Sequence, residues 1–386
     1  MTFKPGYSRF LNGLGERLHF CAHSHHPWPD CTRAAHLRAW DDAAARADEK
    51  WSIVLGEQIP QAQASIAAVL RLPEPKNISF APNTHEFICR LLSCLSVKPR
   101  ILTTDSEFHS FARQTARLEE EGAVVLRVPV EPFETFTERF TQEAKTNEWD
   151  LVFLSQVFFN SGFRLAESEL ESIAAAVKEP TILAVDGYHG FMAIPTDFSR
   201  LGIKMFYLAG GYKYAQAGEG ICFMAVPPGC VLRPRNTGWF ADFAALEKGL
   251  SKPVGYGEQG WRFWGSTFDP SGLYRWNAVT AWRRSLDLTV EKSDAHVRAL
   301  QSHFLSRLAE KPRGPFKTEA LISADLARLG HFLTFRLPGA PALSKRLAEE
   351  LGVLTDARGD RLRFGFGLYH DEADVEELFR RLDRLV

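Results

Sequence analysis

The stretch that decides the fold runs from Thr181 to Cys222 and reads TILAVDGYHGFMAIPTDFSRLGIKMFYLAGGYKYAQAGEGIC. It begins with an apolar run, Thr181–Val185, that has the length of a buried strand and is followed directly by Asp186. Lys213 comes 27 residues after Asp186, between two tyrosines in a glycine-rich turn. Ligands of open α/β sheets bind beyond the carboxyl ends of the strands, so the stretch predicts a polar site at that edge.

The same alternation of short apolar runs and helical patterns extends from about residue 58 to 226. This pattern predicts an α/β fold with a mostly parallel central sheet and helices on both faces. The predicted strands are Ile78–Ala81, Arg100–Thr104, Ala123–Val128, Leu151–Leu154, Thr181–Val185, Lys204–Leu208 and Gly220–Val226. The predicted helices of this part are His85–Ser96, Ser110–Glu121, Phe133–Lys145 and Glu167–Lys178.

A chain of 386 residues is too long for a single hydrophobic core and predicts one large and one small domain. We predict an N-terminal segment, 1–55, that packs on the small domain or bridges both, and a large domain, 56–270. The remainder, 271–386, is predicted to hold an interdomain helix and a smaller α+β C-terminal domain. The helix pattern runs from about Leu273 to Leu308, with a break near Asp287–Thr289.

Charge and composition exclude several functions. The formal net charge of −1 and the pI near 6.9 provide no electrostatic attraction for nucleic acid or an anionic membrane. No apolar run approaches the roughly 20 residues of a membrane span, and the first residues lack a signal-peptide core. The six cysteines are scattered without CxxC or metal-ligand spacing, so we expect reduced thiols, no metal site and a cytoplasmic location.

Lys213 and Asp186 together suit pyridoxal 5'-phosphate (PLP). A lysine amine can hold the PLP aldehyde as a Schiff base, and a carboxylate can keep the pyridine nitrogen protonated so that the ring accepts electrons. The lysine must lose its proton before it attacks an aldehyde, and burial would lower its pKa toward neutrality. Asp186, His189 and Lys213 each have an ordinary structural explanation when taken singly. Their occurrence together and in this order along the chain favours PLP.

The segments VDGYHG and GGYKYAQAGEG resemble the PLP segment of class V aminotransferase-type enzymes of fold type I. The Asp-x-x-His pair and the Tyr-Lys-Tyr triplet are most similar to kynureninases within that group. The resemblance implies a PLP-dependent homodimer that acts on an amino acid. It also implies that Lys213, Asp186 and Tyr212 are catalytic and that His189 binds the cofactor. In kynureninases the tyrosine before the lysine contacts the phosphate and assists proton transfer.

Two further segments near the N-terminal half are candidates for cofactor binding. Asn83 and Thr84 follow a predicted strand and open a helix, where free N–H groups and the helix dipole attract a phosphate. The resemblance places a phosphate-binding pair at the same turn. It also places an aromatic ring on the pyridine after the next strand, where Phe108 and His109 are adjacent. We choose His109, because His-Ser is similar to the desulfurase-like branch of the group.

The tryptophan-rich region holds two more segments similar to the family. In Gly238-Trp239 the indole N–H of Trp239 is implied to reach the phosphate. Gly265-Ser266-Thr267 resembles a turn that crosses the dimer interface to the phosphate of the neighbouring subunit. Ser266 and Thr267 are both candidates for that contact, because the usual Gly-Thr-Pro reads Gly-Ser-Thr here.

The segment Arg361–His370 resembles the C-terminal strand in which an arginine binds the substrate carboxylate. A guanidinium makes a planar two-point contact that lysine cannot make. Strand alternation puts Arg361 and Arg363 on one face. The family spacing to Tyr369 selects Arg363.

Two loops are further candidates for substrate contact. Asn160 or Ser161, after the strand Leu151–Leu154, could bond the cofactor's phenolic oxygen or the substrate. His23 and Ser24 lie where kynureninases have a substrate-lining Asn-Ser pair, and this difference argues against kynurenine itself. Three histidines occur within residues 23–26, but one loop of this spacing does not make a metal site.

The motifs predict loss of a Cα proton to Lys213, and three functions remain open after that step. Transamination is our first expectation, because it needs only the lysine to move the proton. Kynureninase-like Cβ–Cγ hydrolysis would also need an acid such as Tyr212 and an activated water. A non-catalytic PLP-binding protein is the third. Desulfurase chemistry is disfavoured, because it needs a nucleophilic cysteine in the C-terminal half and none follows Cys230.

Overall fold

The computed structural model describes residues 2–146, 148–249 and 252–385. Residues 1 and 386, with which the predicted domain ranges begin and end, lie outside the described residues. The helices are α1 Ser8–Leu14, α2 Cys31–Arg46, α3 Lys50–Ile53, α4 Ile59–Leu70, α5 Thr84–Ser93, α6 His109–Glu120, α7 Phe136–Thr146, α8 Glu167–Ala176, α9 Ser271–Ser285, α10 Val290–Glu310, α11 Ala340–Leu351 and α12 Glu372–Leu382. The strands are β1 Leu18–His19, β2 Ile78–Ala81, β3 Arg100–Thr104, β4 Val124–Val128, β5 Leu151–Ser155, β6 Ile182–Asp186, β7 Phe206–Gly210, β8 Cys222–Ala225, β9 Phe332–Arg336, β10 Val353–Leu354, β11 Asp356–Arg358 and β12 Arg361–Gly365.

The seven predicted strands of the large part form one sheet in the order β2-β8-β7-β6-β5-β3-β4. The pairs β7–β6, β6–β5, β5–β3 and β3–β4 are parallel, whereas β8 is antiparallel to both of its neighbours. The prediction of a mostly parallel sheet is therefore confirmed. The strand β6 ends one residue later than predicted, so that Asp186 pairs with Ser155 and Leu208 as the last residue of the strand.

Side-chain alternation explains why both faces of this sheet are buried. On β5, Val152 and Leu154 join the core under α4, α7, α8 and α9, while Leu151 and Phe153 join the core under α5 and α6. All five residues of β5 are buried. A strand whose apolar side chains are buried on both faces is stable only with a helical layer on each side.

The C-terminal part is a smaller unit around a three-stranded antiparallel sheet, β11-β12-β9. Leu362 and Phe364 of β12 pack with Phe304 of α10 and Phe379 of α12 in one hydrophobic cluster. The predicted long helix is divided into α9 and α10 at residues 286–289, where Asp287 has a φ of 49°. This break matches the predicted one near Asp287–Thr289.

The N-terminal segment contacts both parts. The strand β1 pairs in parallel with β10, and Phe20 lies within the small hydrophobic cluster. The helix α2 packs along α9. The loop between β1 and α2, which contains His23, is thereby placed beside the small sheet. Among the described helices, none is both long and apolar enough to cross a bilayer.

Candidate active site

A cavity of about 390 Å³ lies at the carboxyl ends of β2, β5 and β6. This is the edge at which α/β sheets bind ligands, and the volume falls in the range of small-molecule sites. Six of the predicted site residues line it, namely Asn83, Thr84, Asp186, His189, Tyr212 and Lys213. The structure therefore brings together residues that are up to 130 positions apart in the sequence.

Two glycines allow the backbone to bring Asp186 and Lys213 to this cavity. A Cβ on Gly187 would lie 1.9 Å from the Cζ atom of Tyr207. A Cβ on Gly211 would lie 2.5 Å from the carbonyl oxygen of Gly218, across the turn that carries Lys213. No side chain fits at either position, because real Cβ atoms do not approach other heavy atoms this closely.

Lys213 is buried at the base of the cavity, with 5 % of its surface exposed. Burial lowers the pKa of its amine to about 7, although the carboxylate of Asp186 acts in the opposite direction. Burial disfavours the charged ammonium because the protein interior solvates an ion less well than water does. A large fraction of Lys213 is therefore the neutral, nucleophilic amine near pH 7.

His189 orients this amine. Its Nε2 atom lies 2.9 Å from Lys213 Nζ and 3.1 Å from the carbonyl oxygen of His23. A carbonyl oxygen can only accept, so the second contact requires the proton on Nε2, and Lys213 can accept that N–H only as a neutral amine. Burial and the nearby Lys213 both lower the pKa of His189 well below its usual value, which keeps the ring neutral.

Besides Glu219, the cavity is lined by one further acidic residue, Asp186. Its Oδ1 atom accepts a hydrogen bond from the backbone N–H of Tyr188 at 2.8 Å. Burial raises the pKa of this carboxyl group, while the Tyr188 N–H and Lys213 lower it. A cation such as a protonated ring nitrogen would compensate this buried charge.

Glu107 is a second buried acid, and the sequence analysis did not predict it as a site residue. It accepts hydrogen bonds from the Ser155 hydroxyl at 2.6 Å and from the Thr104 hydroxyl at 2.7 Å. Burial raises the pKa of Glu107 to about 8, and the charge of Asp186 acts in the same direction. Glu107 therefore ties the ends of β3 and β5 together beside Asp186. Glutamates are usually exposed, so only the tertiary contacts reveal this role.

The N-terminus of α5 opens into the same cavity. Asn83 is its N-cap and accepts the backbone N–H of Glu86 at 3.0 Å. Thr84, the first residue of the helix, lines the cavity together with Asn83. Unpaired N–H groups and the positive end of the helix dipole favour an anion such as a phosphate at this position.

Tyr212 is half-buried in the cavity wall, and its ring centroid lies 4.8 Å from that of Tyr188. Burial raises the pKa of the Tyr212 phenol, so it stays protonated and can donate. Tyr188, whose ring centroid lies 4.9 Å from Lys213 Nζ, was not predicted as a site residue. It follows the Asp186-Gly187 turn directly, and that adjacency is the sequence signal that could have identified it.

The choice of His109 over Phe108 does not agree with the structure. Phe108 lines the cavity and its ring centroid lies 5.7 Å from Lys213 Nζ. His109 is exposed as the first residue of α6 and is not among the residues that line the cavity. Phe108 is the N-cap of α6 and His109 its first residue, so the helix begins between them. Of these two adjacent residues, the open alternative Phe108 is therefore the one that lines the cavity.

Arg363 is buried and already ion-paired. Its guanidinium donates to the Asp356 carboxylate and to the carbonyl oxygen of Phe159, and 1 % of the side chain is exposed. Its Nε atom has no partner among the described residues. Arg361 is half-buried and instead forms an ion pair with Glu131 at 2.8 Å. Of the two arginines, only Arg363 approaches the cavity wall, through the Phe159 ring 4.6 Å away.

His23, Ser24 and Asn160, the predicted loop residues, do not line the cavity themselves. His23 is buried, and its ring stacks on that of Phe332 with the centroids 4.6 Å apart. The carbonyl oxygen of His23 accepts a hydrogen bond from Nε2 of His189, which lines the cavity. Ser24 and Asn160 are half-buried and do not line the cavity, whereas Phe159 does. None of the three lines the cavity, and the substrate contacts of His23, Ser24 and Asn160 stay predictions.

The predicted phosphate residues of the tryptophan-rich region form a separate exposed group. Trp239, Ser266 and Thr267 are all exposed, and the indole N–H of Trp239 donates to the Thr267 hydroxyl at 3.3 Å. None of them lines the cavity of their own chain. Their exposure leaves them available to another molecule.

The groups in the cavity match the polar groups of PLP. Lys213 would hold the aldehyde, Asp186 the ring nitrogen, and Thr84 with the start of α5 the phosphate, while Phe108 supplies an aromatic face. The described residues contain no cluster of three or more histidine, cysteine or acidic side chains that could hold a metal ion. The donor set is therefore that of a PLP site.

Comparison with known proteins agrees with this geometry. The family model described as aminotransferase class-V matches residues 32–338. The isopenicillin N epimerase of Streptomyces clavuligerus is 26% identical over 356 residues, which is 84% of this chain and 84% of that protein. A probable cysteine desulfurase of Vibrio cholerae is 21% identical over 348 residues, covering 85% of this chain and 83% of that protein.

Solved structures show the same fold. A mutant of C-DES, with glycine covalently linked to its PLP cofactor, superposes with a TM-score of 0.82 at 17% identity, over 99% of each chain. The apo cysteine desulfurase of Thermococcus onnurineus has a TM-score of 0.76 at 16% identity, over 96% of this chain and 95% of that chain. The PLP site, the family match and the shared fold agree, and the chain belongs to the aminotransferase class-V family, with PLP as its cofactor.

Proposed function

We propose that this protein is an enzyme that removes the Cα proton of an amino acid, with Lys213 as the base, and that its reaction is a transamination. The observation that carries the proposal is the Lys213 amine, buried in the cavity with a pKa lowered to about 7 and held 2.9 Å from His189. A base whose pKa lies near the operating pH is the most effective proton-transfer group. PLP, when bound, supplies the electron sink that makes a Cα proton acidic.

The other cavity residues support this role. Asp186 provides the negative charge that would keep a ring nitrogen protonated, and Tyr188 and Glu107 hold the strand ends around it. The start of α5 would anchor the phosphate. Phe108 would cover one face of the ring and exclude water from it. These groups position the cofactor, so that Lys213 is left free to move the proton.

Arg363 is proposed to bind the α-carboxylate of the substrate. A carboxylate could reach it only by sharing the guanidinium with Asp356, which is held at the same time by Arg358 at 2.8 Å. Two arginines facing one aspartate leave a net positive charge beside the Phe159 wall. An incoming carboxylate would neutralise that charge.

Transamination is preferred because one base suffices for it. Lys213 can take the proton from Cα and return it to the cofactor carbon, with no further residue. Epimerisation is a second candidate, suggested by the isopenicillin N epimerase relative. It needs a proton donor on the other side of Cα, and the protonated Tyr212 phenol in the cavity wall is a candidate for that donor. The same phenol would be the acid of a kynureninase-like cleavage.

A panel of amino acids distinguishes these reactions. The PLP-loaded enzyme is incubated with each amino acid and an α-keto acid acceptor, and keto acids, D-amino acids and cleavage products are measured. We expect a new amino acid and a keto acid in equal amounts, both absent with Lys213→Ala. Inversion without amino transfer would favour epimerisation, and β-carbon products would favour a lyase or hydrolase. A spectral change without any product would indicate a PLP-binding protein that does not catalyse a reaction.

We also propose a homodimer in which Trp239, Ser266 and Thr267 reach the phosphate of the neighbouring subunit. The support is their exposure on a surface outside their own cavity. Thr267→Ala should weaken PLP binding even though the residue is remote from Lys213 in its own chain. A monomeric mass by light scattering, or unchanged PLP affinity in both Ser266→Ala and Thr267→Ala, would contradict this assembly.

A further inference from the structure

Glu107 is a buried acid whose charge has no part in the proposed reaction. It is 7% exposed and does not line the active-site cavity, whereas Asp186 and Ser155 do. Glu107 lies in the loop between β3 and α6 and is hydrogen-bonded to Ser155, the last residue of β5. Ser155 in turn pairs with Asp186, the last residue of β6. The two acids therefore lie close together where neighbouring strands end.

Hydrogen bonds favour the ionised form of Glu107. Its Oε1 atom accepts the Thr104 hydroxyl at 2.7 Å and the backbone N–H of Ser155 at 3.2 Å. Its Oε2 atom accepts the Ser155 hydroxyl at 2.6 Å. A backbone N–H can only donate, so Oε1 is fixed as an acceptor. Three donors on one carboxyl group stabilise a negative charge there.

Burial and Asp186 act against that charge. Burial raises the pKa of Glu107 to about 8, the charge of Asp186 acts in the same direction, and the bonds from Ser155 and Thr104 act in the opposite one. Two interacting acids titrate as a pair, because a charge on one disfavours a charge on the other. The protonation of Glu107 therefore depends on what neutralises Asp186.

The other charged groups around the pair are Lys213 and Asp105. Lys213 lowers the pKa of Asp186 and so favours its anion. Asp105, on the same loop as Glu107, is exposed, and its carboxylate accepts the backbone N–H of Val130 at 3.0 Å. A cation placed on Asp186 would replace the repulsion felt by Glu107 with an attraction.

We propose that Glu107 is a positioning residue for the cofactor, which loses its proton to solvent when a protonated ring nitrogen lies on Asp186 and then supplies a second negative charge that keeps this nitrogen protonated. The proposal rests on the assignment of the ring nitrogen to Asp186. Because the two events are linked, the factor by which the ring cation favours ionised Glu107 equals the factor by which ionised Glu107 strengthens binding of that cation.

The matched control ligand is a PLP analogue with C–H in place of the ring nitrogen. Its ring cannot be protonated, while its aldehyde, phenol and phosphate are unchanged. Infrared difference spectra between about pH 6 and pH 10 follow the protonated carboxyl band of Glu107, which is identified by its absence in Glu107→Gln. In the apoenzyme the band should lose half its intensity near pH 8. PLP should lower this midpoint by at least about one pH unit, and the analogue should not lower it.

Affinity measures the functional weight of Glu107. Glu107→Gln should weaken PLP binding at least about tenfold, the factor that corresponds to one pH unit, and should weaken binding of the analogue less than about threefold. A purely structural role would weaken both ligands equally, because the amide keeps the shape of the side chain and an acceptor oxygen. Asp360→Asn, at an exposed acid, should change neither affinity.

The measurements on the wild type do not depend on the folding of Glu107→Gln. Thr104→Val removes one donor and keeps the carboxyl group, so it should raise the midpoint and thereby identify the band independently. Equal midpoints with PLP and with the analogue would overturn the proposal, whatever Glu107→Gln does.

Asp186→Asn separates this proposal from the assignment on which it rests. That variant should abolish the preference for PLP over the analogue. A preference that persists in Asp186→Asn would mean that the ring nitrogen lies elsewhere, and both the assignment and the proposal would fail. If Asp186→Asn removes the preference while Glu107→Gln retains it, the ring nitrogen lies on Asp186 and Glu107 has a structural role only.

Discussion

The amine of Lys213 lies 2.9 Å from Nε2 of His189, and burial favours the neutral form of both groups. This contact places a nucleophilic amine and a fixed N–H donor at the carboxyl edge of the central sheet. His189 is itself held by the carbonyl oxygen of His23, from the loop that pairs with the small domain. The position of the lysine therefore depends on both parts of the molecule.

The first prediction concerns the pH dependence of cofactor loading. Only the neutral amine of Lys213 attacks an aldehyde, and burial lowers the pKa of this amine to about 7. The rate of PLP incorporation into the apoenzyme should therefore increase as the pH rises through about 7 and level off above it. Absorbance changes in a pH series measure this rate. An increase that appears only near the ordinary lysine pKa of about 10.4 would contradict the buried, neutral amine.

The second prediction is that Lys213 makes the covalent link to PLP. Lys213→Ala should abolish the yellow chromophore and the borohydride-stable attachment of PLP, with the fold intact, because no other amine lines the cavity described here. Lys204→Ala, at an exposed lysine of the same segment, is the control and should behave as the wild type. Mass spectrometry of borohydride-treated protein locates the link, and a reduced adduct at another lysine would refute the assignment.

The third prediction assigns the ring nitrogen to Asp186. Asp186→Ala should still attach PLP to Lys213, but should lose most exchange of the substrate Cα proton, because an unprotonated ring is a weak electron sink. Exchange is measured by NMR in deuterated water. Asp360→Ala, at an exposed acid, is the control. Near-normal exchange in Asp186→Ala would mean that another group protonates the ring, and Glu107 would then be the first residue to test.

The fourth prediction concerns the substrate carboxylate. Arg363→Lys should raise the apparent substrate constant strongly, because an ammonium cannot reproduce the planar two-point contact, and loss of such a pair costs about 2–5 kcal/mol. PLP content should be unchanged, since Arg363 does not line the cofactor cavity. Arg361→Lys is the matched control, because Arg361 is engaged with Glu131 and does not line the cavity. Normal substrate binding in Arg363→Lys together with weak binding in Arg361→Lys would reverse the assignment.

The fifth prediction is a loss of stability in mild acid. Burial lowers the pKa of His23 and of His26 to about 3, whereas both rings would take up a proton near pH 6.5 in the unfolded chain. Between these values the unfolded state binds more protons, so the free energy of unfolding falls as the pH decreases below about 6.5. The slope is about 1.4 kcal/mol per pH unit for each excess proton.

Urea unfolding of the apoenzyme between about pH 7 and pH 5 measures this slope. His26→Gln should reduce it, because one buried ring that resists protonation is removed. His109→Gln, at an exposed histidine, should leave it unchanged. A free energy of unfolding that is constant over this range would show that the buried rings can accept protons in the folded state.

The sequence by itself determined the architecture and the chemical centre. The strands of the central sheet were predicted because each is an apolar run bounded by turn residues, which is a local property. Asp186 and Lys213 were predicted because a strand end and a glycine-rich turn place a side chain without reference to distant residues. The structure brings both into one cavity with Asn83 and Thr84. The class V resemblance agreed with the family match, although the relatives described above are an epimerase and a desulfurase rather than kynureninases.

Only the tertiary structure decided the outer residues of the site. Phe108 rather than His109 lines the cavity, and the composition of the segment does not show where α6 begins between these two residues. The pairing of Arg363 with Asp356 and the burial of Glu107 between Thr104 and Ser155 arise from contacts between different strands. Such contacts depend on how strands and domains are packed against each other. A local pattern of residue types holds no information about that packing.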